Sequence, residues 1–582
     1  METIYLDHLH NQAYLKPYQQ KRITSETLID LGNREALSLD GAWQLCPDQY
    51  DTCLRARWFA YKPPVASPQD CDFEGWQETT VPSCWNTLTP KWEFYEGSML
   101  YQRRFACTKE AQKRYWLCFE GVANRAYLFL NGHYLGFHEG SSTPFSVEVT
   151  DFLEPANHLL LSVNNSRLAT SVPSDNTDWF NYGGIYREVS LVALPAVFIK
   201  RWFVHLADEQ ALSVEVECSS SVSVQVSCPE LGLEETLRCE EGKGSLLVPF
   251  KGTAWSLEDP VRYHFVFTSG EDRVEDLIGL RLIKTETTAM LLNGKEVFLR
   301  GVCLHEDHPD FGRFVNENLL RRSLEEAKSL GCNCIRLSHY PHHRLMAKLA
   351  DELGLLLWEE IAVYWGLAFA EQQTLESAQN QLSELIVRDR NRSSVIIWSV
   401  GNENPDTDER LSFMSALADQ ARALDASRLI GAACLVNEAK LCIEDRLEEK
   451  LDVIGLNEYY GWYDGDWTKL ETLLANSVKE KPVLVTEFGA GAKSGFHDAK
   501  EALFSEEKQA SVYQRQFARI LRTGYIQGTF AWILYDFRSP RRMNRYQMGY
   551  NRKGLLDERR RHRKLAYLVV QQQYENLKDL GR

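Results

Sequence analysis

The pattern of apolar and polar residues changes twice along the chain. From about residue 35 to 195, short alternating runs are separated by turn signals, and in AYLFLNGHYLGF the pair Asn131-Gly132 lies between two strand-like runs. Asn-Gly in that setting is the strongest short signal for a β-hairpin. We therefore predict a jelly-roll β-sandwich over residues 1–195. Period-two alternation continues in LSVEVEC, SVSVQVS and YHFVFTS, and predicts an immunoglobulin-like β-sandwich over residues 196–283.

After about residue 284, strands alternate with helices. VFLRGVC precedes LLRRSLEEAKSLG, NCIRLS precedes HRLMAKLADELG, and LLLWEE precedes AQNQLSELIVRDR. Leu320, Leu324 and Ala327 recur at helical spacing. The remaining strand patterns are VIIWSV, RLIGAAC, LDVIGLN, PVLVTE and GTFAWIL. Eight strands in about 300 residues predict a C-terminal (β/α)8 TIM barrel over residues 284–582.

Two glutamates stand where predicted barrel strands end. Strand four, VIIWSV, is followed by Gly401-Asn402-Glu403, and strand seven, PVLVTE, ends in Glu487. Catalytic residues of such barrels emerge at the carboxyl ends of the strands. A glycosidase needs one carboxyl group that donates a proton and another that is ionised; a spacing of about 5 to 5.5 Å gives retention and a wider one inversion. One strand-end Glu alone would serve equally well as a cap or in an ion pair.

Further polar and aromatic residues occupy the same predicted rim. Arg336 and His339 follow strand two in IRLSHYP, Asn457 and Tyr459 follow strand six in LNEYYGWY, and Trp532 lies on strand eight in FAWIL. Such a set suits a ligand with many hydroxyl groups, although any one of these residues could be structural.

Composition narrows the function classes. The 582-residue chain has a formal net charge of −16, which disfavours nucleic acid as a partner, and its 15 Trp, 25 Tyr and 26 Phe weakly favour carbohydrate. The fourteen cysteines lack regular spacing, and Cys332 and Cys334 form a lone C-x-C, so free thiols and no metal are expected. No signal-peptide pattern and no stretch of about 18 apolar residues occurs, which predicts a cytoplasmic protein without a membrane partner.

These motifs resemble those of glycoside hydrolase family 2, which includes β-galactosidases, β-mannosidases and β-glucuronidases. The resemblance covers nearly the whole chain, and the family has the same order of domains. It implies that residues 1–195 form a jelly-roll sugar-binding-like domain, residues 196–283 an immunoglobulin-like domain and residues 284–582 the (β/α)8 barrel catalytic domain. VIIWSVGNEN is similar to the family's acid/base signature and implies that Glu403 is the general acid/base and that Asn402 contacts the sugar 2-hydroxyl. VLVTEFGA is similar to the nucleophile motif and implies Glu487. The resemblance implies a retaining double displacement through a glycosyl-enzyme ester, without a cofactor.

Within the family, the β-glucuronidases are most similar. TDWFNYGGIYREV resembles their segment that brings an Asp to the active site, here Asp178, and LDVIGLNEYYGWY resembles their strand-six segment, with Asn457, Tyr459 and then Tyr463. GYNRKG resembles the motif whose Asn and Lys, here Asn551 and Lys553, contact the C6 carboxylate. A cation beside a hydrogen-bond donor is what distinguishes a uronate from a hexose, whereas Asn-x-Lys alone is typical of a solvated loop.

The sequence departs from the best-known bacterial pattern in three places. Asn404 makes the acid/base segment NENP rather than NEP, and the connection IAVYWGLAFAEQQTLESAQ after strand three is short. That short connection predicts an open site, or one completed by a neighbouring subunit. A basic stretch, RSPRRMNRYQ, contains Arg538, Arg541, Arg542 and Arg545. One interpretation is that this stretch contacts the uronate or an acidic aglycone; the other, which we favour slightly, is an ion-paired surface loop. A second basic segment, RRRHRK (559–564), predicts a charged surface turn.

The leading hypothesis is a retaining, exo-acting β-glucuronidase of small-molecule or oligosaccharide β-uronides. A β-galacturonidase is the alternative, because its substrate differs only at C4 and the Asn-x-Lys pair would serve both; Asp178, Arg336 and His339 would then decide between them. A neutral-sugar β-galactosidase and a non-catalytic carbohydrate-binding protein are further alternatives, and the presence of both glutamates argues against the latter. The sandwich domains are compatible with a homo-oligomer, either a dimer or a tetramer.

Overall fold

The computed structural model describes residues 13–60 and 75–582. The described chain divides into two compact units. The first contains the residues up to Ser166 together with Asn181–Lys200 and Gly270–Asp272, and the second contains Arg167–Phe180, Arg201–Ser269 and Arg273–Arg582. Among the described residues, no helix is long and apolar enough to cross a membrane. The described cysteines carry free thiols, as predicted.

The first unit is an antiparallel β-sandwich, which confirms the predicted N-terminal fold. Its core contains the large aromatic side chains of Trp43, Trp85 and Tyr101. The predicted hairpin is present, because Asn131 and Gly132 both adopt positive φ, at 51° and 83°, as a two-residue turn of this kind requires. In sheet order, the strands are Ala36–Ser38, Val189–Pro195, Lys113–Phe119 and Phe145–Glu148 in one sheet; Gln77–Val81, Gly41–Pro47, Ser98–Ala106, Ala156–Asn164, Arg125–Leu130 and His133–Glu139 in the other; and the pair Gly184–Ile185 with Val122–Ala123.

A second sandwich precedes the barrel. Its strands alternate buried and more exposed residues, so that Val214, Val216, Val224 and Val226 all point into the core. One sheet contains Ile199–Leu206, Ala211–Cys218 and Lys243–Pro249; the other contains Leu233–Cys239, Val222–Cys228, Tyr263–Ser269 and Asp272–Ile278; and a small sheet follows with Ile283–Glu286, Ala289–Leu292 and Lys295–Glu296.

Eight parallel strands close into a barrel, as predicted. The strand residues are nearly all buried, which is why their sequences are almost continuously apolar. The strands, numbered here one to eight, are Leu299–Leu304, Cys334–Leu337, Leu356–Glu360, Val395–Asn402, Leu429–Cys434, Val453–Asn457, Val483–Phe488 and Ile526–Ala531.

Helices follow every barrel strand except the fifth, which is followed by a short 3-10 helix, Arg446–Lys450. Polar N-caps begin several of them; for example, the side chains of Asn316 and Ser505 accept hydrogen bonds from the backbone N–H of Leu319 and Lys508. The barrel helices are Glu317–Ser329, Arg344–Leu353, Gln372–Asp389, Asp408–Leu424, Trp467–Asn476, Glu506–Ile520 and Leu565–Asp579, and the first unit has the short helices Lys16–Gln19 and Thr52–Arg55.

Two connections complete the carboxyl-terminal face of the barrel. Residues 167–180 pack on it within the second unit, since Ser174 Oγ donates to the carbonyl of Gly366 (3.0 Å) and the N–H of Phe180 donates to the carbonyl of Arg538 (3.0 Å). After strand eight, a two-stranded ribbon pairs Phe537–Arg538 with Tyr550–Asn551. The RRRHRK segment is only partly the surface turn that we predicted, because Lys564 is fully buried and its ammonium contacts Asp536 (2.7 Å).

Candidate active site

A buried arginine connects four strand ends at the centre of the barrel face. Arg336 lies inside strand two rather than after it, contrary to our prediction, and is completely buried. Its guanidinium donates to Glu487 Oε1 (2.6 Å), to Asn402 Oδ1 (2.7 Å) and to both oxygens of Glu360 (3.1 and 3.2 Å). Strands two, three, four and seven therefore present their terminal polar side chains to one cation.

Glu487, near the end of strand seven, has a donor on each carboxylate oxygen. Arg336 contacts Oε1, and the hydroxyl of Tyr459 donates to Oε2 (2.7 Å). His339 Nε2 lies 3.8 Å from Oε1. Positive charge and positive partial charge therefore surround this carboxylate, which holds it in one orientation.

Glu403 has a different environment. It directly follows strand four with a left-handed backbone (φ 50°), and its Oε2 accepts from the indole N–H of Trp365 (2.8 Å) and from the amide of Asn402 (3.4 Å). Burial of the carboxyl raises the pKa of Glu403, and the charge of Glu487 raises it further. Two carboxyl groups, one beside a cation and one biased towards its protonated form, are the arrangement that acid/base chemistry on a glycoside requires.

The remaining predicted barrel residues surround this pair. Asn457 donates to Asn402 Oδ1 (3.2 Å) and accepts from Thr486 Oγ1 (2.7 Å). His339 contacts Glu360 Oε1 (2.7 Å), and its ring stacks on that of Trp532 with centroids 5.1 Å apart. We predicted that Trp532 lies on strand eight, but the strand ends at Ala531 and Trp532 follows it directly.

A second group of predicted residues contains two positive charges. Asp178, 8% exposed, accepts from Ser539 Oγ (2.8 Å), from Asn551 Nδ2 (3.1 Å) and from Arg542, whose Nη2 lies 2.6 Å from Oδ2. Burial alone would raise the pKa of Asp178, but Arg542 lowers it below its ordinary value. Lys553 Nζ donates to the Tyr463 hydroxyl (2.6 Å).

Tyrosine rings link this second group to the carboxylate pair. Lys553 Nζ lies 4.6 Å from the ring centroid of Tyr459 and 4.7 Å from that of Tyr463. The hydroxyl of the same Tyr459 contacts Glu487. The ammonium and the Glu487 carboxylate therefore flank one aromatic ring, within a single candidate site.

The position of Lys553 is fixed by the buried carboxylate of Asp536. That carboxylate accepts from the N–H of Gly554 (2.8 Å), from Lys564 Nζ (2.7 Å) and from Arg552 Nη1 (3.2 Å). Gly554 is required here, since a Cβ would lie 2.1 Å from the backbone nitrogen of Asp536. The residues on either side of Lys553 are thus held to the strand-eight connection.

The sequence analysis did not assign three residues of this site. Glu360 ends LLLWEE on strand three, and the same strand-end argument that selected Glu403 could have selected it. Trp365 gave no signal, because its contact with Glu403 depends on how the 361–371 connection folds. Arg542 was considered only as part of a basic stretch, and its pairing with Asp178 is a contact across 364 residues.

Family models match two parts of the chain. Residues 36–195 match the sugar binding domain of glycosyl hydrolases family 2, and residues 283–579 match the TIM barrel domain of the same family. The chain belongs to glycosyl hydrolase family 2. It is therefore a glycoside hydrolase, as predicted.

Relatives and solved structures of this hydrolase agree with that membership. A β-glucuronidase of Paenibacillus borealis is 25% identical over 93% of this chain and 97% of its own length. Ruminococcus gnavus β-glucuronidase in complex with D-glucuronic acid superposes with a TM-score of 0.82 (26% identity; 95% of this chain, 100% of the other). A β-galacturonidase from Eisenbergiella tayi bound to galacturonate gives 0.80 (26%; 93% and 97%). A longer relative from Formosa agariphila is 28% identical. The match covers 83% of this chain but only 65% of the relative's length.

Beside the site, the hydrolase buries one carboxyl group that no cation contacts among the residues described. Glu458 accepts from the N–H of Tyr460 (2.9 Å) through Oε2, and the side chain of Gln516 lies beside the carboxyl group. It lines a cavity of about 330 Å³ together with Tyr459, Tyr463 and the exposed Glu438. Burial raises the pKa of Glu458 to about 8. Folded hydrolase therefore holds a proton here at neutral pH.

Replacement of Glu458 by Gln should flatten the pH dependence of stability. The pKa of Glu458 is higher in the folded than in the unfolded protein. The wild type therefore loses stability as the pH rises from about 4.5 through about 8, by roughly 1.4 kcal/mol per pH unit. Glu458→Gln has no proton to release, so its thermal midpoint should fall by several degrees less between pH 5 and pH 8. Glu438→Gln is the matched control and should follow the wild type. Equal slopes for all three proteins would contradict the assignment.

Proposed function

We propose that this hydrolase releases terminal β-D-glucuronic acid from β-D-glucuronides by a retaining mechanism. The observation that carries the proposal is Lys553, a 5% exposed cation beside the carboxylate pair. Its close partners are the Tyr463 hydroxyl and two aromatic rings, and across residues 13–60 and 75–582 no carboxylate lies within ion-pair distance of its ammonium. A buried ammonium is costly unless an anion pairs with it, and the C6 carboxylate of a uronate is such an anion.

Asn551 supports this assignment. Its Oδ1 accepts from the N–H of Lys553 (3.1 Å), and one hydrogen of its amide donates to Asp178. Within the described part of the chain the second amide hydrogen has no acceptor, so it can donate to a carboxylate oxygen. A charged donor and a neutral donor side by side match the two oxygens of a uronate, whereas the hydroxymethyl group of a hexose would leave the ammonium without a counter-ion.

In the proposed reaction, protonated Glu403 donates its proton to the glycosidic oxygen while Glu487 attacks the anomeric carbon, and the aglycone leaves as an alcohol. The resulting ester between Glu487 and the sugar is then hydrolysed by a water molecule that transfers a proton to Glu403. This restores both residues and releases the uronic acid with its original configuration. Asn402, held by Arg336 and Asn457, is assigned to the sugar 2-hydroxyl.

Removal of the proposed nucleophile should abolish turnover. We expect Glu487→Gln to fold and to lose activity by at least about 10³-fold, because the variant lacks the carboxylate that forms the ester in the proposed reaction. Proton NMR of an early wild-type reaction should detect the β-anomer of the uronic acid first. Initial appearance of the α-anomer would refute double displacement, and full activity of the variant would mean that the nucleophile lies elsewhere.

Lys553→Met should remove the preference for uronides. Loss of a buried charge-assisted contact is expected to lower kcat/KM on a β-glucuronide by about 10² to 10³-fold. Turnover of the corresponding neutral β-glucoside, which differs only at C6, should decrease far less, since that sugar has no charge to bind. Lys578→Met, on the exposed face of the last helix, serves as the control. A wild-type-like β-glucuronide rate in Lys553→Met would rule out the carboxylate assignment.

Galacturonide hydrolysis is the second candidate, and the likeness to the Eisenbergiella tayi β-galacturonidase favours testing it. The two substrates differ only at C4, and the Asn551 and Lys553 contacts serve both. Parallel assays of p-nitrophenyl β-D-glucuronide and β-D-galacturonide distinguish them. We expect a higher kcat/KM for the glucuronide; the reverse order would make this a β-galacturonidase with the same catalytic machinery.

A further inference from the structure

Three departures from the usual bacterial pattern meet beside Glu403. Asn404, the additional residue of NENP, donates through Nδ2 to the backbone carbonyl of Trp365 (2.7 Å). The N–H of Trp365 donates to the carbonyl of Asn402 (3.0 Å). Trp365 lies on the short 361–371 connection, which is the second departure. Asn404 therefore holds this connection in place through its hydrogen bond to Trp365. Its indole N–H then reaches the Glu403 carboxyl.

The third departure, the basic stretch, adds a cation to this tryptophan. The guanidinium carbon of Arg541 lies 5.3 Å from the Trp365 ring centroid, and its Nη1 donates to Asn176 Oδ1 (2.7 Å). Asn176 is held in turn, since its N–H donates to Ser174 Oγ (3.3 Å), which donates to the carbonyl of Gly366. An exposed arginine is thereby kept in one place at the edge of the site.

Arg541 differs from Arg542 in lacking an acidic partner among the described residues. Arg542 is ion-paired with Asp178, whereas no carboxylate of the described chain lies within ion-pair distance of Arg541. The protein as a whole is strongly acidic. A fixed, solvent-facing guanidinium without a counter-ion is therefore able to bind an anion from solution, and its planar fork matches a carboxylate.

The position of Arg541 determines which part of a substrate it would contact. A general acid must lie against the glycosidic oxygen, and beyond that oxygen is the leaving group. Trp365 contacts the carboxyl of Glu403, and Arg541 is held on Trp365. The cation that we assign to the uronate, Lys553, contacts Tyr459 and Tyr463 instead. Arg541 is thus associated with the proton donor and not with the sugar carboxylate.

We propose that Arg541, supported by Trp365, binds a carboxylate on the leaving group. The preferred substrates are then β-uronides whose aglycone is itself acidic, such as an oligosaccharide with a second carboxylated sugar after the scissile bond. This inference rests on the proposed function for the identity of the terminal sugar. It concerns a different part of the substrate and a different residue, so the two can fail separately.

The test compares two leaving groups of the same shape, 4-carboxyphenyl and 4-carbamoylphenyl, each attached to β-D-glucuronic acid and to β-D-galactose. The carboxamide is the better leaving group, so electronic effects oppose the preference that we expect. Wild-type kcat/KM should favour the carboxylate by about tenfold, mainly through KM, as one charge-assisted hydrogen bond allows. Arg541→Gln should remove that preference, and Arg541→Lys should retain part of it.

Arg545→Gln is the matched control, because Arg545 contacts only the neighbouring Tyr546 in the part of the chain described, and it should keep the wild-type preference. Equal wild-type rates on both leaving groups, a preference that survives in Arg541→Gln, or equal losses on both leaving groups would each overturn the proposal. Hydrolysis of the galactosides alone would disprove the uronidase function, while the ratio between the two leaving groups would still test Arg541.

Discussion

The rest of the site depends on the contacts of Arg336 with Glu360, Asn402 and Glu487. Its guanidinium is fully removed from solvent, and burial alone would lower the pKa of Arg336, but Glu360 and Glu487 raise it above its ordinary value. A buried ion of this kind is stable only while its partners remain in place, and loss of one partner leaves an uncompensated charge in the interior. The strand ends that supply Glu360, Asn402 and Glu487 are therefore constrained together, and no catalytic side chain is positioned on its own.

Two buried cations in this site have opposite roles, and the difference lies in their partners. Arg336 is already paired with the carboxylates of Glu360 and Glu487, so it holds their strand ends together and does not attract a further anion. Lys553 has a phenol and two ring faces, which stabilise a cation only in part. The contacts of Asp536 hold the backbone beside Lys553 in place, so under the proposed function a uronate would bind with little reorganisation. Preorganisation of this kind is how a site distinguishes a carboxylate from a hydroxymethyl group.

Much of this architecture was predictable because it follows from periodicity. The eight barrel strands are continuous apolar segments with caps and turns between them, and their carboxyl ends selected Glu403 and Glu487 before any distance was known. What the sequence could not supply were contacts between residues far apart in the chain. The ion pair of Arg542 with Asp178 and the indole contact of Trp365 with Glu403 depend on the course of irregular connections. The placement of Arg336 inside strand two is a register detail of one or two residues, which patterns do not resolve.

The two sides of the candidate site differ in burial and in the number of hydrogen bonds that hold their residues, and this difference determines how each side can change by substitution. The side that we propose for the terminal sugar is almost completely buried and hydrogen-bonded within itself or to the barrel, so a substitution there alters the fold as well as the site; it contains Asn402, Glu360, Arg336 and Asn551. On the side of the proton donor, Arg541 is exposed and is held by one amide and one ring face. Surface substitutions away from buried networks usually change stability by less than about 0.5 kcal/mol. Under the proposed function, the exposed Arg541 can therefore change without disturbing the buried network around Arg336, whereas Asn404, which holds Trp365 in place, is itself completely buried.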